Sequence, residues 1–83
     1  MKVLYFAWVK QRVGVAEEEL EPPHSVADVS GLLDWLASLS PRHRTALANR
    51  SVLRVAVNQD YVGPDHPVRG NDEVAIFPPV TGG

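Results

Sequence analysis

The sequence predicts a single α+β domain in which a mixed sheet wraps around one main helix. Three observations point there. Runs of apolar, β-branched and aromatic residues stand near both ends of the chain, at 2–9 and 73–77. One amphipathic helical pattern lies between them, at 26–38. Proline pairs, Pro22-Pro23 and Pro78-Pro79, stop the strand regions on either side of it. With 83 residues the chain is long enough for one small domain and not two. Such a domain buries roughly 60–65% of the surface its unfolded chain exposes.

Residues 2–9 read as the first strand. Both alternating sets are apolar, Val3, Tyr5, Ala7 and Val9 on one side and Leu4, Phe6 and Trp8 on the other. That pattern suits a strand buried on both faces, or buried on one and docked to a partner on the other. Gly14 punctuates the connection to a second strand over 15–21, anchored by Val15 and Leu20. Its Glu17-Glu18-Glu19 run reads as a solvated edge that discourages edge-to-edge pairing.

After Pro22-Pro23, Ser25 and Asp28 resemble a capping box. Val26, Val29, Leu32, Leu33, Leu36 and Leu39 then recur at helical spacing, which predicts a helix over 26–38. Gly31 costs that helix about 1 kcal/mol relative to alanine. Ser40-Pro41 supplies a cap and a first-turn proline for a second, short helix through Ala48.

Residues 52–58 read as a strand, with Leu53, Val55 and Val57 alternating against Arg54. Asn58-Gln59-Asp60 is a turn, Tyr61-Val62 a short strand, and Gly63-Pro64 another turn. Gly70-Asn71-Asp72 leads into the last strand, Glu73–Phe77, which Pro78-Pro79 must end because proline cannot donate to the ladder. The expected arrangement is a β-grasp roll with the first and last strands adjacent and parallel in the centre. Residues 1–79 form that domain, and 80–83 a flexible tail.

Composition excludes several functions. There is no cysteine, hence no disulfide, thiolate metal site, iron–sulfur cluster or nucleophilic thiol. A formal charge of −2 gives no electrostatic footprint for nucleic acid. No stretch approaches the ~20 apolar residues of a membrane span. The opening run is short and is followed by Lys10 and Arg12 where a cleavage site would belong, so the expected location is the cytoplasm.

His24, His43 and His66 lack metal-ligand spacing and read as exposed polar residues. The serines have no nucleophile-elbow context, and no acid–base pair emerges from Glu17–Glu19, Asp60, Asp65 and Asp72. The chain carries no evident active site of its own.

The terminus is different. Gly82-Gly83 has a chance probability of about 0.5% at average glycine usage. It follows a strand, a stiff Pro-Pro and the narrow pair Val80-Thr81. Prolines hold a tail extended, and residues without a Cβ pass where walls close in. A terminal glycine carboxylate is uncrowded when activated, for example as an anhydride with AMP, and an achiral residue cannot racemise while activated.

Val3-Leu4-Tyr5-Phe6-Ala7, Val55-Ala56-Val57-Asn58-Gln59, His66-Pro67-Val68 and above all the stretch from Asp72 to Gly83 resemble the molybdopterin synthase small-subunit family. The resemblance covers essentially the whole chain and departs at Gly70-Asn71-Asp72, a one-residue change in the turn. It implies a ubiquitin-like β-grasp fold and a non-catalytic sulfur-carrier role, with catalytic groups on the large subunit.

In such proteins a ubiquitin-activating-like adenylyltransferase activates the terminal glycine with ATP, and a sulfur donor protein converts it to a thiocarboxylate. The tail then enters the large subunit and delivers sulfur to cyclic pyranopterin monophosphate. The resemblance implies no stably bound cofactor and a heterotetramer of two small and two large subunits. Gly83 would hold the sulfur, Gly82 would give clearance, and Val80 and Thr81 would complete the tail. Phe6, Lys10, Tyr61 and Phe77 match family positions at the large-subunit interface, with core packing as the competing reading for Phe6 and Phe77. Alternatives are carriers of the same chemistry for thiamine, cysteine or tRNA thiolation and, as a different class, a ubiquitin-like protein modifier joined through Gly83 to lysines.

Overall fold

The structure, a computed structural model, describes residues 1–79; Val80, Thr81, Gly82 and Gly83 lie outside the described residues. Among the described residues five strands form one sheet: β1 (Lys2–Tyr5), β2 (Glu17–Glu19), β3 (Arg54–Val57), β4 (Asp60–Val62) and β5 (Glu73–Phe77), in the order β2-β1-β5-β3-β4. β1 and β5 run parallel in the centre, and the remaining pairs are antiparallel. This is the predicted mixed sheet. Three helices accompany it, α1 (Ala7–Val13), α2 (Val29–Ala37) and α3 (Pro41–Ala46), with a 3-10 turn at Arg50–Val52.

Alternation divides the sheet. Val3, Tyr5, Val55, Val57, Val74 and Ile76 are buried and join Val29, Leu32, Leu33 and Leu36 of α2 and Leu47 in one core. Leu32 and Leu36 are fully buried. Burying a side chain of that size contributes about 1.5–3 kcal/mol. Asn58 and Gln59 have φ of 50° and 73°, the backbone a tight hairpin between β3 and β4 requires.

The first strand is shorter than predicted. It ends at Tyr5, and the chain turns at Phe6 into α1, so Ala7, Trp8 and Val9 are helical. Two features drive the switch. Val9 and Val13, one helical turn apart, are both buried. Gly14 at φ 99° then ends the helix, its N–H bonding to the Lys10 carbonyl at 2.8 Å. Arg12 lies over the Trp8 ring at 4.7 Å.

The second strand shrinks to the three glutamates and leaves Val15 exposed. The main helix begins later than expected, with Asp28 rather than Ser25 as its cap, accepting from the Gly31 N–H at 2.8 Å. Val26 and Leu39 fall outside it. Gly31 therefore sits in the first turn, where the interior glycine penalty does not fully apply. Val52 belongs to the 3-10 turn and not to a strand. Ser40 caps α3 as predicted, accepting from the His43 N–H at 3.1 Å.

The altered turn at Gly70-Asn71-Asp72 does not disturb the sheet. Asp72 accepts from the Arg69 N–H at 2.7 Å and from Asn58 Nδ2 at 3.1 Å, and the regular β1–β5 register starts immediately at Lys2–Glu73.

Candidate functional site

The sheet's outer face is the side that the helices leave open. Registered across four strands, Leu4, Ala75, Ala56 and Tyr61 form one row of apolar residues. One step further along, Phe77 of β5 stands opposite Arg54 of β3. Tyr61 and Phe77 flank β3, and their rings approach to 5.4 Å between centroids. The alanine at position 56, between their strands, keeps the floor low enough for the rings to meet above it. Tyr61 is 78% exposed, so this pair faces solvent despite its apolar area.

Phe6 extends the face. Its N–H donates to the Ile76 carbonyl at 3.1 Å, continuing the β1–β5 ladder by one residue before the helix begins. Phe6 is 49% exposed. Core packing is therefore excluded for Phe6, while Phe77 is half-buried. Lys10 is exposed on α1 and not on a strand. The fold brings Phe6 and Phe77 to neighbouring strand ends and stacks Tyr61 on Phe77.

β5 reaches Pro78-Pro79 directly beside this aromatic pair. A cleft of about 280 Å³ lined by Arg54, Val55, Tyr61, Val62, Phe77 and Pro79 marks the root of the tail. Gly83, Gly82, Thr81 and Val80 lie outside the described residues. Among the described residues no group of three or more metal-ligating side chains occurs, and no helix is long and apolar enough to cross a membrane.

A second polar arrangement was not legible in the sequence. His43, expected to be exposed, is only 8% exposed. Its Nε2 bonds the Glu18 carboxylate at 2.8 Å and its Nδ1 meets Ser40 Oγ at 2.7 Å. The same Glu18 oxygen accepts the Tyr5 hydroxyl at 2.7 Å. Burial raises the Glu18 carboxyl, but the hydrogen bonds from His43 and Tyr5 outweigh it and hold the group below its usual value. Burial, reinforced by the Glu18 hydrogen bond and charge, pushes the Tyr5 phenol far up, so it stays a donor. Glu18 pairs with Val3 in the β1–β2 register, which points it to the core side of the sheet. This cluster ties β1, β2 and α3 together on the core side of the sheet.

The model of the ThiS family matches residues 3–83. The molybdopterin synthase sulfur carrier subunit of Escherichia coli is 43% identical over 83 residues, covering 100% of this chain and 99% of that one. A Pyrococcus furiosus protein proposed to be molybdopterin converting factor, subunit 1, superposes with a TM-score of 0.75. It has 34% identity over 95% of each chain. The small archaeal modifier protein SAMP1 of Haloferax volcanii superposes with a TM-score of 0.76 at 26% identity, covering 100% of this chain and 98% of its own.

Proposed function

The chain belongs to the ThiS family, and from that premise we propose that it is the sulfur carrier subunit of a molybdopterin synthase. The observation that carries the reading is the exit of central strand β5 through Pro78-Pro79 beside the pair of exposed Tyr61 and half-buried Phe77, ahead of Gly82-Gly83. A docking face and a reactive end are thus joined by a stiff pair of prolines. A partner that grips the face receives the tail at a defined place.

In this reading the Gly83 carboxylate attacks ATP in an adenylating partner, releasing pyrophosphate. Sulfur delivered at the sulfide level by a donor protein then attacks the acyl adenylate, expels AMP and leaves a thiocarboxylate. The large synthase subunit binds the face through Phe6, Lys10, Tyr61 and Phe77. It takes Val80, Thr81, Gly82 and Gly83 into its own active site, where the sulfur passes to cyclic pyranopterin monophosphate. The large subunit supplies the catalytic groups, and the assembly holds two copies of each subunit. ATP is consumed on the activating partner, and this chain keeps no cofactor. The lack of cysteine is consistent with transferable sulfur residing on Gly83 rather than on a side chain.

Carriers for thiamine, cysteine or tRNA thiolation, and a protein modifier joined through Gly83 to lysines, have less support. The Escherichia coli relative that matches over the full length is a molybdopterin synthase carrier.

Incubation with ATP, the adenylating partner and a sulfur source should raise the intact mass by the replacement of one oxygen with sulfur. Adding the large subunit and the pterin precursor should then yield molybdopterin. An unchanged mass with a verified partner, or a thiocarboxylated chain that yields no product, would overturn the assignment.

A further inference from the structure

Arg54 stands where two surfaces meet. It lies opposite Phe77 in the β3–β5 ladder, two positions from Pro79. It lines the tail-root cleft, and it also lines a groove of about 360 Å³ between α2 and the β3–β4 hairpin. Val55 and Val62 border both. The apolar surface therefore does not stop at the Tyr61–Phe77 pair. It passes the end of β4 at Arg54 into the groove, whose floor is the outermost layer of the core at Val29, Leu33 and Leu53.

The charge on Arg54 is not satisfied like that of its neighbour. Arg50, on the same groove, donates to the Asp34 carboxylate at 2.8 Å and to the Leu47 carbonyl at 3.0 Å. Arg54 Nη1 donates only to the carbonyls of Ser51 at 3.2 Å and Leu53 at 2.8 Å, and among the described residues it meets no carboxylate. Both bonds come from Nη1, which ties one nitrogen of the guanidinium to the backbone and leaves Nε and Nη2 without a hydrogen bond among the described residues. A held guanidinium with apolar surface on both sides fits a carboxylate flanked by apolar side chains, which it can bind bidentately.

We infer that the docking interface extends from the outer sheet face past Arg54 into the α2–β3–β4 groove, and that Arg54 pairs there with a carboxylate of the large synthase subunit. The inference rests on the sulfur-carrier reading, and it adds a charge-specific contact at the rim of the aromatic face. Aromatic anchors supply affinity, whereas a rim cation selects the partner that presents an acid in the right place.

The test measures binding of the purified large subunit to the wild-type chain and to Arg54→Lys, Arg54→Ala and Arg54→Glu at two salt concentrations. Arg54 is exposed, so these variants should keep the wild-type melting temperature. Affinity should fall about fivefold for Arg54→Ala and further for Arg54→Glu. Arg54→Lys should lie between wild type and alanine. The salt dependence of the wild type should be steeper than that of Arg54→Ala. Unchanged or tighter binding of Arg54→Ala, or equal salt dependence, would overturn the inference. A wild-type chain that fails to bind the large subunit at all would instead count against the sulfur-carrier reading.

Discussion

Glu18 on the edge strand and His43 on α3, 25 residues apart in sequence, meet through a 2.8 Å hydrogen bond on the core side of the sheet. The ionised carboxylate requires a donor, so Nε2 carries the proton, and Nδ1 of the neutral ring accepts from Ser40 Oγ. The short edge strand is thereby fastened to the helical layer by one acid that also holds the Tyr5 hydroxyl.

Removing that acid should cost more than a surface glutamate is worth. Glu18→Ala leaves two part-buried donors, Tyr5 Oη and His43 Nε2, without their acceptor. The expected loss is about 2–3 kcal/mol in urea denaturation, against near zero for Glu17→Ala or Glu19→Ala. Equal small losses for all three would show that the cluster holds nothing.

The same residue sets an acid response. The folded-state value of Glu18 lies below its ordinary value of 4.5, so its contribution is present above that value. As pH falls through the lower folded-state value, the carboxyl protonates in both states and the contribution disappears. Glu18→Gln should lack this part of the acid dependence. Melting temperatures of the two proteins should converge as the solution is acidified and separate near neutrality. Parallel curves would contradict the assignment.

Gly14 is the backbone hinge between α1 and β2. At φ 99° a side chain is strained, and a Cβ there would also stand 3.1 Å from Arg42 Cζ. The arginine end can move aside, so the backbone term dominates. Gly14→Ala should destabilise by about 1–2 kcal/mol, lowering the melting temperature by roughly 4–8 °C per kcal/mol. Gly14→Asn should cost less, since asparagine tolerates the left-handed region.

The parts that the sequence made legible were those with a local signal. Glu73–Phe77 appeared with its bounds intact because Asn71-Asp72 and Pro78-Pro79 punctuate both ends. Ser40-Pro41 announced α3 in the same way. α1 was hidden because strand-like residues run unbroken from Val3 to Val9, and helical spacing of Val9 and Val13 became decisive only with Gly14 as a cap. Ser25 masked the true cap at Asp28, since both are good caps and only packing chooses between them. The Tyr5–Glu18–His43 cluster had no local trace at all. Its members meet only once β2 pairs with β1 in the observed register, which turns the middle glutamate of three inward. The exposed aromatic residues show the opposite case: family positions named Phe6, Tyr61 and Phe77, and sheet geometry then placed them on or beside one open face.

That face allows docking to be separated from stability. Tyr61 is mostly exposed, and its ring rests on Phe77 and not in the core. Tyr61→Ala should therefore leave the urea midpoint within about 0.5 kcal/mol of wild type. In the proposed complex the same change removes a central aromatic anchor and should weaken large-subunit binding at least tenfold. Ile76→Ala, one residue from Phe77 but fully buried, should do the reverse, costing about 2–5 kcal/mol of stability through the cavity it leaves. Deleting Gly83 gives a third pattern. The fold should keep its midpoint and the large subunit should still bind, while no thiocarboxylate forms. Denaturation, binding and intact-mass measurements on these three variants thus separate core, grip and chemistry. A Tyr61→Ala protein that binds normally would remove the aromatic face from the mechanism.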